Sequence, residues 1–303
     1  MHKEHDTTMG RRLRVQKEDA IYFITNRCFQ AQYWLKPDFH GHFNKLILRC
    51  LAIAQKRYGV LIYGYVFMSN HFHILVRAPE MNLSHFMRDV QSLIARNVNL
   101  LRKRRGTLFP DRFTSALVLD KEAVFTMARY ILLNPVRAKL VETPDQWPGL
   151  ISIPKNGVRP PLVEKMPGFR SFAKQWRALD ASISAELLKP QLQGPFLGVD
   201  KVLEIACHDA PANPKRSRRR LKDTVIASDP KDKERVAAQI AALERTHRSA
   251  YDGFEVGVLC ALKDNHECPE ELAPPPITAP LGALPFLLRR SGLTQSQLQV
   301  FCR

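Results

Sequence analysis

Val60–Ala78 reads VLIYGYVFMSNHFHILVRA, and its pattern sets the architecture. Val60–Met68 and Phe72–Ala78 are two runs rich in β-formers. The short polar Ser69-Asn70 between them predicts a hairpin. On a strand, residues i and i+2 face the same way, so His71 and His73 share one face and Phe72 points into the opposite one. The apolar flanks, Val66, Phe67 and Met68 before and Ile74, Leu75 and Val76 after, agree with Phe72 pointing into the core. Two imidazoles converging on one point suit a divalent cation. The same spacing also arises by chance as two half-exposed histidines on a sheet, and spacing alone leaves both readings open.

On the N-terminal side, Ala20–Arg27 (AIYFITNR) predicts a further strand. Asp38–Tyr58 carries Phe39, Phe43, Leu46, Ile47, Leu51 and Ala54 at helical spacing, and Gly59 ends that helix. Leu83–Arg105 predicts a second helix through Phe86, Val90, Leu93, Ile94, Val98 and Leu101, closing on the basic run Arg102-Lys103-Arg104-Arg105. Thr114–Leu119 predicts a short strand. Asp120 suits the cap of a third helix reaching about Leu133, because Asn134 before Pro135 disfavours further helix. The order is β-α-β-β-α-β-α. Its first six elements predict an α+β fold of the ferredoxin-like, split βαβ kind: an antiparallel sheet with helices on one face. The other face, or an edge, would then be open to a ligand.

Beyond Trp147 the prolines 148, 154, 160, 161 and 167 mark a change of texture. The expected division is a basic arm over residues 1–18, a domain over 19–152 and a C-terminal extension over 153–303. The extension is proline-rich, with helical composition over Asp229–Tyr251, and is expected to be mostly helical or irregular. Its expected role is structural or accessory binding.

The chain has 303 residues, with 46 Lys+Arg against 29 Asp+Glu and a net charge of +17. Such a surplus favours a polyanionic partner, because cationic side chains neutralise phosphates and release counterions. A basic protein without that partner is the plainer alternative. The 45% hydrophobic content excludes disorder of the whole chain. No apolar run reaches the roughly 18 residues of a membrane span, so no membrane partner is expected. Met1–Lys17 is polar and basic, unlike a secretory leader. The six cysteines form no CxxC pair, which points to a reducing cytoplasm.

Tyr130 and Asn134 lie at i and i+4 of the third predicted helix, hence on one face. A phenol beside a metal-activated phosphate is a possible nucleophile, and an Asn oxygen can ligate a hard cation. A Tyr that packs and an Asn-Pro that stops a helix are the ordinary alternatives.

Tyr65–Val76 (YVFMSNHFHILV), followed after about fifty residues by Ala128–Ala138 (ARYILLNPVRA), resembles the REP-associated tyrosine transposases. These are bacterial relatives of the single-tyrosine HUH transposases of insertion sequences. The resemblance covers roughly residues 10–150, and the two motifs in this order and spacing are specific. It implies that His71, His73 and Asn134 hold Mg²⁺ or Mn²⁺ and that Tyr130 is the nucleophile. The insertion-sequence relatives tend to have Gln where Asn134 stands. The implied enzyme cleaves and rejoins single-stranded DNA through a 5′-phosphotyrosine link, at sites associated with imperfect hairpins. It would act in the bacterial cytoplasm, on the nucleoid when DNA-bound, as a monomer, with a homodimer as the alternative.

Basic residues that could grip phosphates are Arg11, Arg12 and Arg14 in the arm, Arg77, Arg102, Lys103, Arg104, Arg105, Arg112, Arg129 and Arg137 in the domain, and Lys215, Arg216, Arg218, Arg219 and Arg220 in the extension. The 102–105 run also fits a solvated helix end. Two rivals remain: a catalytically weak, domesticated regulator that binds DNA hairpins, and an RNA-binding ferredoxin-like domain. The second requires exposed aromatics on the sheet and no metal.

Overall fold

A computed structural model describes residues 16–155, 158–208 and 225–242. Everything below lies in the compact unit Gln16–Ala237. The second unit, Met1–Val15 with Ala238–Arg303, lies almost wholly outside the described residues. So do Arg11, Arg12, Arg14 and the cluster Lys215–Arg220.

Five strands form one sheet: β1 (Ala20–Arg27), β2 (Leu61–Phe67), β3 (His71–Ala78), β4 (Thr114–Val118) and β5 (Val225–Ile226). Their order is β2-β3-β1-β4-β5. The first four pair antiparallel with β1 and β3 in the middle, as a split βαβ requires. The hairpin between β2 and β3 closes with Met68 N–H donating to His71 O at 2.8 Å. β5, which pairs parallel to β4, is too short to carry a sequence signal.

The helices follow the apolar periodicity, with shifted ends. α1 runs His42–Tyr58, not from Asp38. The Asp38 carboxylate instead accepts from the backbone N–H of His40, His42 and Phe43 at 2.5–3.1 Å, ahead of the helix. Gly59 ends α1 at φ +61°, in the left-handed region where glycine is unstrained. α2 runs Leu83–Leu101 and stops before the basic run, which turns away with Lys103 at φ +48°. α3 runs Lys121–Arg137, capped by Asp120 Oδ1 accepting from Ala123 N–H at 2.8 Å.

The expected stop at Asn134 does not occur: Pro135 sits inside the last turn of α3. An interior proline costs a helix about 3 kcal/mol. Here Asn134, Pro135 and Val136 are all buried, and Ala138 N–H still reaches Asn134 O at 3.0 Å. Burial of the last turn outweighs the single lost bond.

Both faces of the central strands are buried. Phe23, Leu75, Val66 and Val118 pack with Ala128, Ile131 and Leu132 of α3. Residues of the opposite parity, among them Ile24, Phe72 and Ile74, are fully buried too, as are the apolar stripes of α1 and α2. The face expected to be open is therefore covered, by the seventh element and by α4 (Phe172–Leu187), whose Leu179 and Ile183 join the same cluster.

The prolines near residue 150 fall within the compact unit Gln16–Ala237. Leu150–Ser152 and Val163 lie along the β2 edge: Phe67 N–H donates to Leu150 O and Ser152 N–H to Tyr65 O, at 2.8 and 3.0 Å, and Val163 bridges to Ile62. An unpaired edge strand is a liability, and this irregular segment covers part of it. Trp147 locks the approach, its Nε1–H donating to Phe67 O at 3.1 Å.

Candidate active site

His71 opens β3 opposite Arg27, and His73 lies opposite Thr25. Their rings are on one face, centroids 5.1 Å apart. That is the face on which α3 packs, through the cluster around Phe23, Leu75 and Ile131. Tyr130 and Asn134, one turn apart, point to the two imidazoles. The Tyr130 ring meets the His73 ring edge-on at 5.4 Å and the Phe23 ring edge-on at 5.7 Å. Phe23 also stacks on His73 at 5.2 Å and an interplanar angle of 15°. Asn134 is buried, and its amide hydrogen-bonds the His71 ring. The four side chains singled out from sequence therefore share one site.

The hydrogen bonds fix the state of His71. Asn70 Nδ2 donates to Ala31 O at 2.9 Å, so Asn70 Oδ1 faces His71 Nδ1, 2.7 Å away. An amide oxygen can only accept. Nδ1 therefore carries the proton, and Nε2 keeps its lone pair. A metal-binding histidine characteristically ties off its other nitrogen in this way. Asn70 was readable in sequence only as a turn residue; its position directly before the His-x-His pair is the one available signal.

Both imidazoles are held neutral. Burial, with the charge of Arg27 adding, lowers His71 to about 4 against the opposing bond from Asn134. Burial, the neighbouring His71 and Arg27 push His73 well below its ordinary value. His73 Nδ1 is buried without a hydrogen-bond partner. Among the described residues there is no cluster of three or more His, Cys, Asp and Glu that could hold a metal. Two neutral imidazoles, one with an unpartnered nitrogen, and a buried amide are nonetheless a donor set that fits a small divalent cation. No carboxylate is required of it.

The arginines divide. Arg77 Nε donates to Asp19 Oδ1 at 2.6 Å and Nη2 to Oδ2. Arg102 donates to Lys36 O at 2.6 Å and lies over the Phe43 ring. Arg104 donates to Asn99 Oδ1 and Thr107 O and lies over Trp34. These two tie the turn after α2 to the loop before α1. Lys103, Arg105 and Arg112 are exposed. Arg129 and Arg137 flank Tyr130 on α3. Arg129 Nη1 donates to Ser182 Oγ at 2.9 Å, and Arg137 Nη2 donates to Glu186 Oε1. No helix among the described residues is long and apolar enough to cross a membrane.

Residues 34–133 match the family described as "Transposase IS200 like". The matched stretch holds His71, His73 and Tyr130 and ends one residue before Asn134. Among solved structures, a REP-associated tyrosine transposase bound to a REP hairpin is 15% identical at a TM-score of 0.40, covering 52% of this chain and 99% of that one. A protein of Deinococcus radiodurans R1 described as a transposase is also 15% identical, at a TM-score of 0.29, covering 40% of this chain and 93% of that one. No curated protein matches.

Proposed function

We propose that the chain is a divalent-metal-dependent strand transferase for single-stranded DNA, with Tyr130 as nucleophile and His71, His73 and Asn134 as ligands of Mg²⁺ or Mn²⁺. The observation that carries this reading is the 5.4 Å approach of the Tyr130 ring to His73, itself 5.1 Å from His71. A phosphate bridging nucleophile and ligands spans such a distance. When bound, the cation would supply positive charge to the non-bridging phosphoryl oxygens.

The chain's own residues account for the rest. Tyr130 Oη attacks the phosphorus in line, and its proton is lost. The bond from phosphorus to O3′ breaks as the bond from phosphorus to the phenolic oxygen forms. One DNA piece leaves with a 3′-OH and the other stays on Tyr130 through its 5′-phosphate. Attack by a 3′-OH on that ester reverses the step, joins strands and restores the phenol. The ester conserves the phosphodiester energy, so no nucleotide cofactor is needed. Asn70 holds the His71 tautomer, and Phe23 backs the His73 ring. The net charge of +17 supports a polyanionic substrate. The likeness of the motif pair to REP-associated enzymes makes an imperfect hairpin with an unpaired flank the substrate to try first. The RNA-binding alternative needs an open aromatic sheet face, and both faces of the central strands are buried.

The test uses such a hairpin, labelled at its 3′ end because that fragment stays attached, with Mn²⁺. A covalent adduct stable on a denaturing gel is expected, absent with chelator and absent from Tyr130→Phe. Tight binding with no adduct would instead establish the hairpin-binding regulator.

A further inference from the structure

Tyr130, Asn134 and Arg137 recur at i, i+4 and i+7 along α3 and so form one stripe. The Tyr130 ring has Phe23 and His73 on its sheet side and the Arg137 guanidinium against it, Cζ 5.5 Å from the ring centroid. Arg137 does not float there. It pairs with Glu186 of α4, as does Arg129, whose Nε lies 3.1 Å from Glu186 Oε2 without an aligned N–H. Lys189 Nζ is 4.0 Å from the same oxygen. The Glu186 side chain is 7% exposed, against 40% for Arg137 and 31% for Arg129.

The buried member of this group is the carboxylate, and it determines where the others stand. Glu186 sits near the end of a sixteen-residue helix whose Leu179 and Ile183 are anchored in the core. A buried carboxylate must stay paired, because an unpaired one is strongly penalised. The arginines have long stems and partly exposed heads, free to sample other rotamers without that anchor. One carboxylate among three cations leaves two positive charges in excess in a group that meets the phenol ring through Arg137.

We propose that Glu186 is a positioning residue for Tyr130. By holding Arg137 it fixes the guanidinium against the phenol ring, keeping the ring aimed at His73 and unneutralised positive charge where a scissile phosphate arrives. The proposal rests on the reading of Tyr130 as nucleophile. It assigns a role in that site to a residue more than fifty positions beyond the tyrosine.

The test has two readouts on the full chain. The first is single-turnover adduct formation on the 3′-labelled hairpin with Mn²⁺ at saturating DNA, together with DNA affinity. Glu186→Gln and Glu186→Ala are expected to slow the covalent step about 10- to 100-fold, the scale of a misplaced reacting group, with DNA affinity unchanged. The Arg137→Ala/Glu186→Ala double variant is expected to be no slower than Arg137→Ala, since both act through one contact. The second readout needs no turnover: 3-fluorotyrosine at position 130, followed by fluorine NMR, should shift or broaden in both Glu186 variants. A role confined to stability would lower Tm and leave the covalent rate intact. Wild-type covalent rates in the Glu186 variants, additive losses in the double variant, or an unmoved fluorine resonance would each overturn the proposal. Absence of any adduct in the wild type would instead overturn the strand-transfer reading, and the fluorine resonance would still decide whether Glu186 holds the ring.

Discussion

The Tyr130 ring stands edge-on to the His73 imidazole, centroids 5.4 Å apart at an interplanar angle of 80°. The two residues are nearly sixty positions apart, on a helix and on the strand beneath it. Neither ring can be moved independently, because Phe23 touches both. This three-ring contact joins the proposed nucleophile to the proposed ligand pair and makes the site sensitive to small changes behind it.

Asn70 is such a place. Its amide is oriented by Ala31 O and in turn sets the His71 tautomer. Asn70→Ala should weaken Mn²⁺ binding about 10- to 100-fold, the usual cost of losing a partner of a metal-bound histidine. Isothermal titration with Mn²⁺ checks this. Affinity equal to wild type would show that the bond to Asn70 does not govern His71.

Acid should unfold the metal-free protein early. His71 and His73 are both lowered in the fold, chiefly by burial, so between the ordinary value of about 6.5 and about 4 the unfolded chain takes up protons that the folded chain refuses. Stability is full above that window and falls as pH drops through it. Urea midpoints measured in chelator from pH 7 to pH 4 should decline. The His71→Gln/His73→Gln variant should flatten that part of the curve.

Gly149 is placed by close approach, not by its dihedral. A Cβ there would lie 2.4 Å from Trp147 Nε1 and 2.9 Å from Phe67 O, the two partners of the bond that seals the β2 edge. Gly149→Ala should destabilise by about 1–3 kcal/mol, as overpacking does. A urea midpoint equal to wild type would mean that the segment 147–152 can shift at no cost.

Asp120 serves two elements at once. Oδ1 caps α3 through Ala123 N–H, and Oδ2 accepts Ser228 N–H at 2.7 Å just after β5. Burial raises its carboxyl, but the bonds from Ser228 and Ala123 prevail and hold it below the usual range. Its contribution is therefore present above the ordinary value of 3.8 and lost as pH falls below it. Asp120→Ala should cost about 1–2 kcal/mol and speed hydrogen exchange at Val225 and Ile226. Ser228→Ala should affect that exchange and spare the helix.

Much of this was legible in the chain. The β-rich runs at Ala20–Arg27 and within Val60–Ala78 put the strands where they lie, and the i, i+2 spacing put His71 and His73 on one face. The spacing of Tyr130 and Asn134 put both on one side of a helix. These are relations over a few residues, which backbone geometry alone enforces. The folded structure decided the rest. Pro135 reads as a helix stop, yet burial of Asn134–Val136 carries α3 one turn further, and only that turn brings Arg137 onto the tyrosine's stripe. Asn70 reads as a turn residue until Ala31 O orients its amide. Glu186 reads as one acid in an ordinary amphipathic helix until α4 docks on α3. Each of these roles depends on partners drawn together by core packing across long stretches of chain, and no local pattern encodes which partner arrives.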